Sequence, residues 1–217
     1  MRPYERTDEL RQSVNELGAR VYTALRDGGL EAGLLVELAC LAEEWTVSTP
    51  ATRELLERRT AELTAADVFR LGEALLGEVR FVPTYALEPA LLAELEEDLK
   101  VVERDLRATG ITGTLRVIIP DWDFMGMAWV EFDGLCQGNG IPPGSGGTLC
   151  VADAAQEVVM EVIWEAWPAC PEHDLGLHAE PENGIAVWRC TGGEAHTVAP
   201  IGELPPLPRR RGPARRK

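Results

Sequence analysis

The sequence lacks any long apolar run, and this absence excludes a membrane-spanning helix. A helix that crosses a bilayer needs about 20 consecutive apolar residues, and no segment of the 217-residue chain approaches that composition. The first nine residues also lack the apolar core of an export signal. The sequence therefore predicts a soluble, cytoplasmic protein.

Lysine is nearly absent, and basic residues are outnumbered throughout most of the chain. Only Lys100 and Lys217 are lysines among 21 basic residues, a composition typical of a high-GC bacterial genome. There are 36 acidic residues, so the formal net charge is −15. Residues 209–217 carry six basic residues and no acid, which leaves the rest of the chain more negative still. A body of this charge is expected to repel nucleic-acid phosphates and anionic lipids.

An even set of cysteines and recognised catalytic motifs are both missing. The five cysteines are an odd number in a chain without an export signal, so a disulfide framework is not expected. Cys40 lies in an apolar helical run and is predicted to be buried. The sequence contains no C-x-x-C pair, and its glycine-rich stretch at residues 134–147 does not match a phosphate-binding motif. Nothing in these patterns indicates an enzyme.

The hydrophobic pattern predicts an α+β fold in three parts. Residues 1–110 have apolar residues at helical spacing and are expected to form an acidic helical bundle, whose first helix Thr7 caps. In its last helix, Pro89 to Gly110, the acidic positions are expected to face solvent; they are Glu94, Glu96, Glu97, Asp98, Glu103 and Asp105. Residues 111–204 are predicted to form an α+β region, and residues 205–217 a disordered, proline-rich basic tail.

Within residues 111–204 the period changes from helix to strand and back. Leu115–Ile119 and Met127–Phe132 are predicted to form an antiparallel pair, Thr148–Val151 a short strand, and Asp153–Trp167 a helix. A last hairpin is predicted from strands 175–179 and 185–190, which flank an Asn-Gly turn. The tryptophans of this half are expected to build its core; they are Trp122, Trp129, Trp164, Trp167 and Trp188.

All three histidines fall close to two cysteines near the end of the chain. Cys170 and His173 form a C-x2-H pair, and Cys190 and His196 form a C-x5-H pair on the far side of the predicted hairpin. Two short ligand pairs brought together by a hairpin suit tetrahedral Zn²⁺. His178, which lies between the pairs, is an alternative ligand.

The segment from residue 167 to 204 resembles a zinc ribbon. In that family a Cys-Pro knuckle precedes a strand hairpin and a second knuckle follows it, as Cys170-Pro171 and Cys190 do here. The resemblance implies a structural zinc held by Cys170, His173, Cys190 and His196. The rest of the chain carries no such resemblance.

Four carboxylates offer a second possible site. Asp121 and Asp123 precede the predicted strand 127–132, and Glu131 and Asp133 lie at its end. If one end of the hairpin gathered them, they could hold a divalent cation for a hydrolase reaction. The same pattern is also expected if these four residues only occupy solvent-exposed positions of an acidic protein.

The favoured function is a non-enzymatic adaptor with a structural zinc, whose acidic surface binds a basic protein partner. One alternative is a nucleic-acid-associated regulator that contacts DNA or RNA through the zinc ribbon and the basic tail. The partner-binding residues of that tail would be Arg209, Arg210, Arg211, Arg215 and Arg216. A metal-dependent hydrolase that uses the Asp121 and Asp123 carboxylates is the other alternative.

Overall fold

A computed structural model of the chain describes residues 3–45, 48–123 and 125–206, with side chains from residue 9 onward. These residues form six α-helices and two three-stranded antiparallel sheets, so the prediction of an α+β fold is confirmed. The chain divides into two compact units between Pro83 and Thr84. No helix among the described residues is both long enough and apolar enough to cross a membrane.

The N-terminal unit is helical. It contains α1 (Pro3–Asp27), α2 (Ala32–Glu44), α3 (Pro50–Glu57), a 3-10 turn (Thr60–Glu62) and α4 (Ala65–Glu78). The core of this unit is built from aliphatic side chains of these helices, including Val21, Leu35, Leu38, Leu55, Leu71 and Leu75. Its helix α2 is apolar on several faces because the other helices of the unit pack around it.

Two helices of this unit begin at threonine caps. Thr49 and Thr64 each accept a hydrogen bond from the backbone N–H three residues later, as expected for residues that start α3 and α4. Two predictions for this unit are wrong. The first helix begins at Pro3 rather than after Thr7, and Cys40 is exposed because it lies on the outer side of α2.

The C-terminal unit combines two helices with two small sheets. Its helices are α5 (Pro89–Ala108) and α6 (Thr148–Ile163). The first sheet, in the order β1-β2-β3, contains β1 (Leu115–Ile118), β2 (Trp129–Phe132) and β3 (Leu135–Cys136). The second, in the order β4-β5-β6, contains β4 (His178–Glu182), β5 (Ile185–Cys190) and β6 (His196–Pro200).

The boundaries of this unit differ from the predicted ones in three places. The unit begins near residue 84 rather than 111, because α5 packs on α6 and β1 and belongs to their core. Residues 148–151 form the first turn of α6 instead of a strand. The last sheet gains a third strand, β6, which the sequence pattern did not indicate. Of the predicted tail, residues 207–217 lie outside the described part of the chain.

Asp105 does not face solvent as predicted, because it is fully buried on α5. Its carboxylate accepts hydrogen bonds from the indole N–H of Trp188 on β5 at 2.6 Å and from the backbone N–H groups of Gly202 at 2.6 Å and Leu204 at 2.8 Å. A buried carboxylate is tolerated only when such donors replace its water. Asp105 therefore fastens the last sheet to α5.

The tryptophans of the C-terminal unit divide into buried and exposed ones. Trp167 and Trp188 are buried and meet edge to face with ring centroids 5.8 Å apart. Trp122 is 55% exposed and Trp164 is 83% exposed, so the prediction that all five build the core is wrong for these two. Trp129 is half-buried and donates its indole N–H to Asp123.

Candidate metal centre

Two turns of the last sheet bring the Cys and His pairs together. Cys170 and His173 lie in the turn that links α6 to β4, and its ends are joined by the hydrogen bond from Cys170 N–H to the Leu175 carbonyl oxygen at 2.7 Å. Cys190 ends β5 and His196 begins β6, and the two residues are paired across that strand pair. The structure therefore places the four predicted ligands in one cluster, with one ligand atom of each within 4.8 Å of the others.

The separations between ligand atoms match those of a tetrahedral zinc site. Bonds of about 2.3 Å to sulfur and about 2.1 Å to nitrogen, arranged tetrahedrally, place sulfur about 3.6 Å from nitrogen. The Cys170 Sγ atom lies 3.6 Å from His173 Nδ1 and 3.7 Å from His196 Nε2, and Cys190 Sγ lies 3.5 Å from His173 Nδ1. The cluster therefore has the dimensions that a single ion at its centre requires.

Backbone N–H groups point at both sulfur atoms. Cys190 Sγ accepts a hydrogen bond from the Gly192 N–H at 3.3 Å. Burial raises the pKa of the Cys170 thiol. Hydrogen bonds from the Glu172 backbone and from the side chain and backbone of His173 have the opposite and larger effect, so the pKa is lowered to about 6. Burial raises the pKa of Cys190. Both cysteines are almost fully buried, and the N–H donors favour the thiolate form that binds metals.

Each histidine is held with one ring nitrogen toward the sulfurs. His196 Nδ1 lies 3.1 Å from the Glu194 carbonyl oxygen, which fixes the proton on Nδ1 and leaves the Nε2 lone pair for a metal. The hydrogen bond that His196 donates to the Glu194 carbonyl oxygen, together with the contact with the Cys170 side chain, raises the pKa of His196. His173 is exposed and its ring packs on the backbone of Gly192 and Gly193.

Gln156 on α6 holds the α6–β4 turn, which carries Cys170 and His173, against that helix. Its side chain, almost fully buried on α6, donates to the carbonyl oxygens of Trp167 at 2.8 Å and Leu177 at 2.6 Å, on either side of the Cys170 turn. These bonds satisfy two buried acceptors and fix the ends of the turn against the helix. No sequence pattern indicated this role, because a single glutamine in an apolar helix has no distinctive spacing.

Gly193 provides a test of how closely the second turn supports His173. Its φ of +60° favours glycine, and a Cβ there would lie 3.1 Å from His173 Nε2. We expect Gly193→Ala to weaken zinc binding about tenfold, measured by competition with a chromogenic chelator, because the methyl group displaces the imidazole. Gly184→Ala is the matched control: Gly184 has a φ of +81° with open space around it, so its substitution strains the backbone without changing zinc affinity.

The alternative ligand His178 is not part of the cluster among the described residues. It begins β4, where it is exposed and paired with Arg189. The strand starts three residues later than predicted but still includes His178 as its first residue, so His178 pairs in the sheet and does not join the ligand turn. The tail residues Arg209, Arg210, Arg211, Arg215 and Arg216 lie outside the described residues.

The four predicted carboxylates are not gathered. Asp123 lies beside Trp129, at the start of β2, and accepts hydrogen bonds from its indole N–H and from the Met125 N–H. Asp133 follows the other end of β2 and accepts from the Thr114 N–H. Four residues of strand separate these ends by about 13 Å. The prediction that Asp121, Asp123, Glu131 and Asp133 surround one end of the hairpin is therefore wrong.

The Cys/His cluster differs from the four-cysteine form of a zinc ribbon. It combines two sulfur with two nitrogen ligands, and five residues separate Cys190 from His196. Its glycines allow this longer turn, since the buried Gly192 and the left-handed Gly193 return the chain to the sheet at β6.

Comparison of the chain with protein-family models, with curated proteins and with solved structures finds no match.

Proposed function

We propose that residues 167–204 form a zinc-ribbon-like module whose Zn²⁺ is structural. The observation that carries this proposal is the four-residue cluster of Cys170, His173, Cys190 and His196, with sulfur-to-nitrogen distances of 3.5–3.7 Å. Four protein ligands complete a tetrahedral zinc shell, whereas catalytic zinc keeps one position for water or substrate. The zinc would accordingly stabilise the fold rather than react.

The chemistry of the donor set favours zinc over the other common divalent ions. Thiolate and imidazole together suit Zn²⁺, while Mg²⁺ and Ca²⁺ prefer oxygen ligands. The N–H groups directed at both sulfurs and the carbonyl that orients His196 are the supporting contacts expected around such a centre. Bound zinc would join the α6–β4 turn to the β5–β6 turn and so close the last sheet.

We further propose that this module belongs to a non-enzymatic adaptor that binds a basic protein partner. Residues 84–206 contain 21 acidic and only 5 basic residues. The 72 residues from 117 to 188 contain 12 acidic residues and no lysine or arginine. A surface of one sign steers an oppositely charged protein toward it and disfavours acidic competitors.

The two alternatives have less support. Binding of DNA or RNA rests on tail arginines outside the described residues, and the negative charge of the described part of the C-terminal unit opposes phosphate. A hydrolase centred on Asp121 and Asp123 lacks the assembled carboxylates that it needs. The adaptor is therefore the function we put forward.

Elemental analysis of the purified chain tests the zinc site. We expect about one zinc per chain, and loss of that zinc in Cys170→Ser because a hydroxyl does not replace a thiolate ligand. Cys136→Ser is the matched control, since Cys136 lies on β3 in the other sheet and should retain full zinc content. Wild-type protein without metal, or Cys170→Ser with unchanged metal, would contradict the proposal.

A further inference from the structure

Trp164 is the most exposed large apolar side chain in the described part of the chain. It caps the C-terminal end of α6, where its backbone adopts the left-handed conformation with a φ of +57°, and its side chain is 83% exposed. Tryptophan is rarely this exposed, and exposed tryptophans are enriched among the residues that anchor protein interfaces.

Two exposed acidic residues lie close to Trp164 in the sequence. Glu161 lies one helical turn before Trp164 on α6, and Glu165 follows it directly. Neither carboxylate forms an ion pair with the basic side chains that the structure describes, and the nearest arginines in the sequence are Arg116 and Arg189. The end of α6 thus carries an exposed indole and two exposed carboxylates within five residues, and the same stretch of sequence contains no basic residue.

This combination fits one kind of side chain best. The planar guanidinium of arginine stacks on an indole face and at the same time donates paired hydrogen bonds to carboxylates. Lysine offers a compact ammonium with a stronger hydration shell, so it gains less from an aromatic surface. Charge complementarity and the exposed ring therefore both point to arginine.

We propose that Glu161, Trp164 and Glu165 form a docking surface for an arginine-rich segment of a partner protein. The proposal rests on the adaptor function above and names the surface and the side chain that it recognises. The surface adjoins the metal centre in the chain, because Cys170 follows Trp164 by six residues and the intervening Ala166 packs against Gly176 in the ligand turn. Zinc binding would hold this end of α6 in place.

Binding of two fluorescent peptides to the full chain tests the surface. One peptide is rich in arginine and the other is its lysine counterpart, and neither contains tryptophan or acidic residues. We expect the wild type to bind the arginine peptide about threefold more tightly than the lysine peptide. Trp164→Ala should remove that preference and weaken arginine-peptide binding about tenfold. Glu161→Gln with Glu165→Gln should weaken both peptides and lower the salt dependence.

Two control variants match these changes elsewhere on the C-terminal unit. Trp122→Ala removes another tryptophan, 55% exposed, whose ring packs against Trp129 with ring centroids 4.8 Å apart and whose neighbour Asp123 already accepts the Trp129 indole N–H. Glu94→Gln with Glu96→Gln removes the same charge from the exposed side of α5. We expect both controls to bind as the wild type does, apart from a small uniform loss from lower net charge. The comparison therefore separates a local surface from the general negative field.

The possible outcomes distinguish the two proposals. If the wild type binds neither peptide, the proposed basic partner is wrong and the surface proposal falls with it. If the wild type binds but Trp164→Ala and the Glu161/Glu165 variant match the controls, the docking surface alone is wrong. If binding appears only in a chain that ends at residue 206, the chain's own basic tail occupies the surface, and this overturns the partner proposal.

Discussion

Chelation of the proposed zinc is expected to lower the unfolding temperature of the C-terminal unit by more than about 10 °C. Structural zinc contributes binding free energy directly to folding, and a loss of several kcal/mol shifts the transition of a domain of this size by about that amount. The four ligand residues come from both the α6–β4 turn and the β5–β6 turn, so loss of the metal would remove a link between the two turns.

Tryptophan fluorescence during heating measures this effect, since five of the six tryptophans lie in residues 84–206. Trp167 and Trp188 are buried in the core of that unit and report its opening. Cys170→Ser should melt like the chelated wild type and should be insensitive to chelator. Cys136→Ser should melt like the zinc-loaded wild type and should respond to chelator. An unchanged transition after complete metal removal would show that the ion does not support the fold.

The ligand cluster could be predicted from sequence because its ligands come in local pairs. Residues three apart in a tight turn face the same side whatever the rest of the fold does, so Cys170 and His173 needed no tertiary information. The exclusion of His178 from the cluster, by contrast, did require tertiary information. Its place depends on where β4 starts: the strand begins at His178 itself, and a start one residue later would have left His178 in the ligand turn.

The buried acid on α5 shows a second limit. The apolar stripe of that helix includes Leu95, Leu99, Val102 and Leu106, and positions three residues after its members also face inward. Asp98 and Asp105 occupy two such positions, seven residues apart; Asp98 accepts a hydrogen bond from Thr148 at 2.6 Å. Helical spacing alone places both residues at inward-facing positions, but the acidic composition of the helix favoured the prediction of a solvent-exposed surface. Their partners come from distant parts of the chain, which no local pattern reveals.

Replacement of Asp105 is expected to produce the largest loss of stability outside the metal centre. In Asp105→Ala, the indole N–H of Trp188 and the backbone N–H groups of Gly202 and Leu204 lose their acceptor at a buried site. Each unsatisfied buried donor costs about 1–3 kcal/mol, so we expect a decrease of about 3–5 kcal/mol in the free energy of unfolding. Chemical denaturation followed by tryptophan fluorescence measures it.

Asp105→Asn separates the hydrogen bonds from the space that the side chain fills. The amide keeps the size of the carboxylate and one acceptor oxygen, but its NH₂ group must face at least one of the N–H donors. We therefore expect an intermediate loss of about 2–3 kcal/mol. Glu96→Gln, an exposed acid-to-amide change on the same helix, should alter stability by less than about 0.5 kcal/mol. If Asp105→Asn behaved like Glu96→Gln, the carboxylate would not be the group that fastens the last sheet to α5.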